Sequence, residues 1–254
     1  EQILAIEKQY TYQVKLAERK ENVLKLIGEQ GKLTDEIKKS VAECTKLSQV
    51  DDIYRPYAQK KKTRAAVAIK NGLQPLADWM LSVPETGDLN TEAEKYLSET
   101  VKTLEDAIQG AEDIIAETVS DNAKLRWSFK DTLLKAGVLV TKKKKDAEDE
   151  NKVYEMYYDR SEKISSLADH RIMAIDRAEK EKVITVTFTF DEEGLIKQAY
   201  DTLMHGRTGI CDAQIHTAVD DGCQRLLFPA VEREIRSDLS ERAQGKSIEV
   251  FSMN

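Results

Sequence analysis

Apolar residues return every three or four positions through the first thirty residues. Ile3, Ile6, Tyr10, Val14 and Ala17 are followed by Val23, Leu24 and Ile27, with acids and lysines on the other face. That period predicts a helix over residues 1–30, fraying at Gly28 and Gly31. Thr34 followed by Ile37 opens a short helix through Cys44, and Leu47 to Tyr54 reads as another. Pro56 pushes Arg55 out of the helical region and ends that element. Thr63 can cap a new helix, Gly72 ends or bends it, and Leu73 to Leu81 resumes as an apolar-faced segment around Pro75.

Beyond Leu81 the stretch SVPETGDLN reads as a turn-rich linker. Thr91 with Glu94 forms a capping-box pattern, and Leu97, Val101, Leu104, Ile108, Ala111 and Ile115 make an apolar seam suited to a bundle helix. Thr103 with Asp106 is a second capping pattern, so the seam is either one helix or two with a sharp joint. Ser120 is the expected cap of a helix burying Leu125, Phe129, Leu133 and Leu134 and stopping at Gly137. Val138 to Thr141 reads as extended, Val153 to Tyr158 and Ser165 to Ala178 as helical. VITVTFTF at 183–190 is a strand whose nearest partner is 138–141. Leu195 to Met204 reads as a helix. Asp212 is the expected cap of a last long one, kinked or restarted at Pro229, whose pairs Glu232–Arg236 and Asp238–Arg242 lie on a solvated face. No repeat period survives inspection, which disfavours a solenoid.

Composition agrees with this helical reading. Of 254 residues 33% are charged and 41% apolar, with only 4 Pro and 11 Gly. No apolar run approaches membrane-spanning length and no signal peptide opens the chain. Cys44, Cys211 and Cys223 are scattered and odd in number, which suits reduced cytosolic thiols. The expected fold class is mainly α: a multi-helix array with a long C-terminal helix and a minor two- or three-stranded sheet. The expected division is 1–82, a helical region carrying a basic helix–loop–helix, and 83–254, a helical region with the sheet and the terminal helix. The Glu start and the abrupt end at SIEVFSMN suggest a fragment of a longer protein.

Charge singles out one segment. The net charge is −7, yet Arg55, Lys60, Lys61, Lys62, Arg64 and Lys70 fall within sixteen residues that contain no acid. Cations gathered beside a helix start suit phosphate oxygens, with salt-sensitive binding and little base specificity. A solvated loop, or one paired with the protein's own acids, accounts for the same pattern equally well. Tyr54 and Tyr57 could stack on unpaired bases, although packing in the helix–loop–helix joint is the simpler role. KKKK at 142–145 adjoins DAEDE and reads as a solvated loop.

Other chemistry finds little support. His205, Cys211, His216 and Cys223 have no metal-ligand spacing, and His170 reads as a buried or capping histidine. The turn His205 to Gly209 reads as a connector. Nucleophile-elbow, P-loop and dinucleotide fingerprints do not occur, so no enzyme, cofactor or metal is expected.

VDDIYRPYAQKKKTRAAVAIKNGLQPLADWML closely resembles the start of the bacterial Tex family of transcription-accessory proteins, relatives of a eukaryotic transcript-elongation histone chaperone. VLKLIGEQGKLTDEI, AEDIIAETVSDNAKLR, YYDRSEKISSLADHRIMAIDRAEKE and DDGCQRLLFPAVEREIRSDLSERA extend the likeness in order over nearly the whole chain. YAQKKKTRAAVA departs from the family's preference for a Pro and more Arg here. The resemblance implies a cytoplasmic, nucleic-acid-associated protein with a helix-turn-helix-like region and a long helix near a domain junction. It also implies RNase H-like, helix-hairpin-helix and OB-fold domains outside this chain, and no catalytic activity in this part. The expected function is therefore a non-enzymatic module that positions RNA or DNA by its backbone, working with the transcription machinery and away from membranes. The alternative is a helical scaffold that docks on that machinery with little nucleic-acid affinity of its own.

Overall fold

Three threonines start three helices by the same local device. Thr34 Oγ1 accepts from Ile37 N (3.2 Å), Thr63 Oγ1 from Ala66 N (3.0 Å) and Thr103 Oγ1 from Asp106 N (3.1 Å), each satisfying a backbone donor that the first turn leaves open. The computed structural model describes the backbone of residues 2–58 and 62–253, and the side chains of residues 6–7, 9–58 and 62–245. In chain order the elements are α1 (Gln2–Glu29), α2 (Asp35–Glu43), α3 (Leu47–Tyr54), α4 (Arg64–Lys70), α5 (Gln74–Leu81), α6 (Leu89–Glu94), α7 (Leu104–Asp121) and α8 (Ala123–Ala136). There follow β1 (Val138–Lys143), β2 (Asp159–Lys163), α9 (Asp169–Lys180), β3 (Ile184–Thr189), α10 (Glu192–Met204), α11 (Asp212–Asp221) and α12 (Phe228–Met253). The fold is mainly α with a long C-terminal helix and one small sheet, as the sequence predicts. Among the described residues no helix is long and apolar enough to cross a membrane.

The chain forms two compact units, Glu1–Arg126 with Thr202–Gly222 and Trp127–Asp201 with Cys223–Asn254. The expected division at 82–83 falls inside the first unit. There the linker after α5 is tied down by Ile210 N donating to Pro84 O (3.0 Å), and Arg207 Nη1 reaches Ser82 O.

In the first unit, α1 buries Leu16, Val23 and Ile27 with Val41, Val50 and Ile53 of α2 and α3. The stripe of Ile6, Tyr10 and Val14, read as part of a buried face, is exposed instead. Helix α4 lies on α7 at Gly110, where a Cβ would overlap Leu73 Cδ1 and press on Ala68 Cβ (3.3 Å). The apolar seam resolves into a joint at Thr103: α7 starts there, and Leu97 stays 42% exposed outside it. Two caps differ from expectation. Asp88, not Thr91, caps α6, accepting from Thr91 N at 2.8 Å; Asn122, not Ser120, serves α8 by accepting from Leu125 N at 3.1 Å. In both places a competing Asp or Asn acceptor lies within one turn in the sequence.

The second unit holds the antiparallel sheet, in the order β2-β1-β3. The predicted pairing of 138–141 with 183–190 is present, Val140 opposite Thr187. Strand β2 lies where no strand was predicted, because DRSEK has neither the composition nor the apolar face of one. The segment before it is not the expected α-helix. Asp149 accepts from Val153 N, Tyr154 N (both 2.9 Å) and the Tyr158 hydroxyl (2.8 Å), closing a loop that leaves only a 3-10 turn at Glu155–Tyr157. The expected helix from Ser165 starts later: Ile164–Ser166 is a 3-10 turn and α9 opens at Asp169.

As expected, the α-helix restarts at Pro229: α11 ends at Asp221, and α12 opens at Phe228 with Pro229 in its first turn, where no N–H is needed from it. A π-helical stretch at Gly222–Leu227 joins α11 to α12. Asp212 accepts from Gly209 N (2.8 Å) rather than capping α11. The charges of α12 are also not a solvated set of i,i+4 pairs. Arg236 Nη2 donates to Asp176 and Glu179 of α9 (2.7 Å each), Arg242 Nε to Asp169 (2.8 Å), and Lys130 Nζ of α8 holds Glu234 (2.6 Å) and Asp238 (2.7 Å). Burial pulls the Lys130 amine down, but these two carboxylates outweigh it and hold the amine above its ordinary range.

Burial, with Asp113 and Asp221 as further causes, pushes the Glu112 carboxyl above its usual range. A carboxyl raised on folding favours the folded state while protonated and loses that benefit as pH rises through its folded value. Glu112→Gln is therefore expected to raise Tm at pH 7 and leave it unchanged near about pH 3, as measured by thermal melts across that range.

Candidate nucleic-acid interface

The basic segment begins where α3 stops. Contrary to expectation, Pro56 does not push Arg55 out of the helical region (φ −48°, ψ −45°). The chain tightens into a 3-10 turn at Arg55–Tyr57, whose last carbonyl accepts from Gln30 Nε2, just past α1 (2.9 Å). Tyr54 is half-buried, with the Arg19 guanidinium 5.5 Å from its ring centre, and Arg19 Nε also donates to Asp51 (2.7 Å). The tyrosine joint is thus packed from the α1 side. Tyr57 is half-buried as well.

The six cations predicted from sequence separate into distinct environments. Arg55 is drawn inward: its Nη2 lies 3.7 Å from Asp52 Oδ1, and its buried Nε has no hydrogen-bond partner. Asp52 is only 5% exposed and accepts from Arg126 Nε at 2.7 Å, with Arg126 itself 3% exposed. Arg64 is exposed and lies 4.0 Å from Asp113 of α7. Lys62 and Lys70 are exposed, and neither enters an ion pair among the described residues. Lys60 and Lys61 lie outside the described residues. Lys62 adopts a left-handed φ of 68°, turning the chain into the Thr63 cap.

Two clefts border α4. One of about 300 Å³ is lined by Pro56, Ile69, Ile114, Glu117 and Asp121. The other, of about 390 Å³, is lined by Arg64, Val67, Asn71, Asp106 and Asp113. Carboxylates of α7 therefore line the grooves, while the free lysines stand clear of them. An anion is attracted at the Lys62 and Lys70 positions and repelled along α7.

The remaining candidates fall elsewhere. Of the lysine run, Lys142 and Lys143 belong to β1, and Lys143 Nζ sits 4.4 Å from the Tyr158 ring centre. Cys44, Cys211 and Cys223 are buried thiols. Among the described residues no group of three or more His, Cys, Asp or Glu side chains could hold a metal ion. Sequence reading missed the Asp52–Arg126 pair, whose members are 74 residues apart. The available signal was the pair of acids, Asp51 and Asp52, between Val50 and Ile53 on a short apolar helix.

A mainly helical array with a small antiparallel sheet and a basic segment held between two short helices defines the class of this protein. The family model described as Tex central region-like matches residues 84–251. The chain belongs to that family. It is 40% identical to the uncharacterized protein YdcI of Bacillus subtilis, over all of this chain and 36% of the relative. It is 29% identical to the transcriptional accessory protein Tex of Neisseria gonorrhoeae, over all of this chain and 34% of that protein. A human S1 RNA-binding domain-containing protein 1 is 24% identical over 94% of this chain and 25% of its own length. The chain thus spans about a third of the bacterial relatives' length.

Removing the Asp52 carboxylate strands a buried guanidinium. Asp52→Ala is expected to cost about 3–5 kcal/mol in urea unfolding, and adding Arg126→Met is expected to recover most of that loss.

Proposed function

We propose that this chain is the helical part of a transcription-accessory protein that positions RNA or DNA in the cytoplasm through phosphate-backbone contacts, without catalysis of its own. The contacting residues in this reading are Lys60, Lys61, Lys62, Arg64 and Lys70, with Arg55 assigned to holding the joint. The observation that carries it is the pair of exposed, unpaired lysines, Lys62 just before the Thr63 cap and Lys70 at the end of α4, on either side of exposed Arg64. Helix α4 has only seven residues, so side-chain charge rather than a helix terminus supplies the attraction. The names of two relatives, a transcriptional accessory protein and an S1 RNA-binding domain-containing protein, support the same direction.

A second reading is favoured by the carboxylates facing Arg55 and Arg64. With those two cations partly neutralised, the chain would serve as a helical scaffold docking on the transcription machinery. The two readings separate in a titration of labelled single-stranded RNA and duplex DNA at two salt concentrations. The phosphate reading expects measurable binding, and expects Lys60→Glu, Lys61→Glu and Lys62→Glu together to flatten the salt slope by about 2. Affinity unchanged by the triple reversal, or no affinity in the parent chain, rejects it in favour of the scaffold.

A further inference from the structure

The two edges of the sheet are built differently. Strand β2, at one edge, reads DRSEK and carries charge at four of its five positions, a common guard against unwanted strand pairing. Strand β3, at the other edge, reads ITVTFT: no charge, no proline and no bulge across six residues. Nothing in that sequence discourages another strand from pairing with it.

The hydrogen-bond register shows which groups β3 offers. Lys144 N donates to Val183 O (2.9 Å), which fixes the ladder's alternation. Thr185, Thr187 and Thr189 therefore point their N–H and C=O groups at β1, and Ile184, Val186 and Phe188 point theirs away from it. Ile184 is fully buried, so the open edge runs from Val186 onward. Among the described residues no backbone hydrogen bond reaches Val186 or Phe188 from outside the sheet. Their side chains are only half-buried, and the three threonines opposite them are exposed. Helix α9 does not close this edge. Its Arg171 reaches Glu162 of β2 (2.6 Å) and its C-terminal turn meets Val183, so it crosses the sheet's inner face.

We infer that the outer edge of β3 is a docking edge for an extended peptide segment of a partner protein, added as a fourth strand. The chemistry of the partner follows from the edge. Its main chain pairs with the N–H and C=O groups of Val186 and Phe188, and apolar residues at alternate positions cover those two side chains. Small or hydroxylated residues sit beside Thr187 and Thr189, as in favourable cross-strand pairs. The end of β3 is followed by Asp191, Glu192 and Glu193, all exposed, so a basic residue at the adjoining end of the segment completes the match. Self-pairing of two copies through this edge would set the acids of each copy near Lys180 and Lys182 of the other, but one strand pair alone buries far less than the roughly 1,200–2,000 Å² of a stable interface. The inference is independent of the phosphate-contact reading, which involves other residues.

The test uses the whole chain and a synthetic peptide of about seven alternating valines and threonines with an N-terminal lysine, the polarity that antiparallel addition requires. Amide exchange followed by NMR is expected to slow about tenfold or more at Val186 and Phe188 on saturation, and to stay unchanged at Thr185 and Thr187, already bonded to β1. Val186→Pro removes an outward N–H while sparing the ladder to β1, and is expected to weaken binding about tenfold with the melting curve retained. Glu192→Lys with Glu193→Lys is expected to weaken it further at low salt. Absence of binding at millimolar peptide, protection elsewhere in the chain, or affinity undiminished in Val186→Pro overturns the inference. So does concentration-dependent dimerisation that Val186→Pro abolishes, which would assign the edge to a second copy.

Discussion

A single buried carboxylate decides which cations of the basic segment look outward. Asp52 sits on the inner face of α3, within 2.7 Å of the Arg126 Nε, and its field also draws in Arg55 across one helical turn. At that depth neither partner can be left alone, since an uncompensated buried charge costs several kcal/mol. The joint between α3 and the loop that follows is therefore fixed by charge as well as by Pro56. The close approach of α4 to α7 at Gly110 then sets where the next cations stand. Arg64 falls beside Asp113, whereas Lys62 and Lys70 reach solvent. A run of like charge in the sequence becomes, in the fold, one structural arginine, one shared arginine and a smaller external set.

The second unit follows the same rule with the roles exchanged. Charges on α12 that read as a solvated face are directed at neighbouring helices: Arg236 to α9, Arg242 to the start of α9, and Glu234 and Asp238 to Lys130 of α8. These bonds come from long side chains that span between helices and keep their heads partly wet, which is why a helix with charge on most faces still packs. The sheet uses charge differently, guarding β2 with it and leaving β3 without any.

Local signals in this sequence were legible and distant ones were not. Thr34, Thr63 and Thr103 each cap the helix they were read as capping, because the bond spans only three residues. Asp88 and Asn122 took over from Thr91 and Ser120 because several polar residues within one turn compete for the same backbone donors. VITVTFTF announced its strand by alternation, whereas DRSEK became one only because β1 was there to pair with it. The exposed stripe of Ile6, Tyr10 and Val14 has the same period as a buried one, and period alone does not say what covers it. The basic segment was visible as composition, but its division depended on Asp52, Arg126 and Asp113, and no local pattern connects those three residues.

The central claim is that Arg55 belongs to the fold and the exposed lysines to an external anion. The most direct measurement is the salt dependence of single-stranded RNA binding for Arg55→Gln beside Lys62→Gln with Lys70→Gln, each paired with its unfolding midpoint. The account expects the arginine variant to lose stability and keep the parent slope, and the lysine pair to keep stability and lower the slope by about 1–2. A reduced slope in Arg55→Gln with an unchanged midpoint would contradict it.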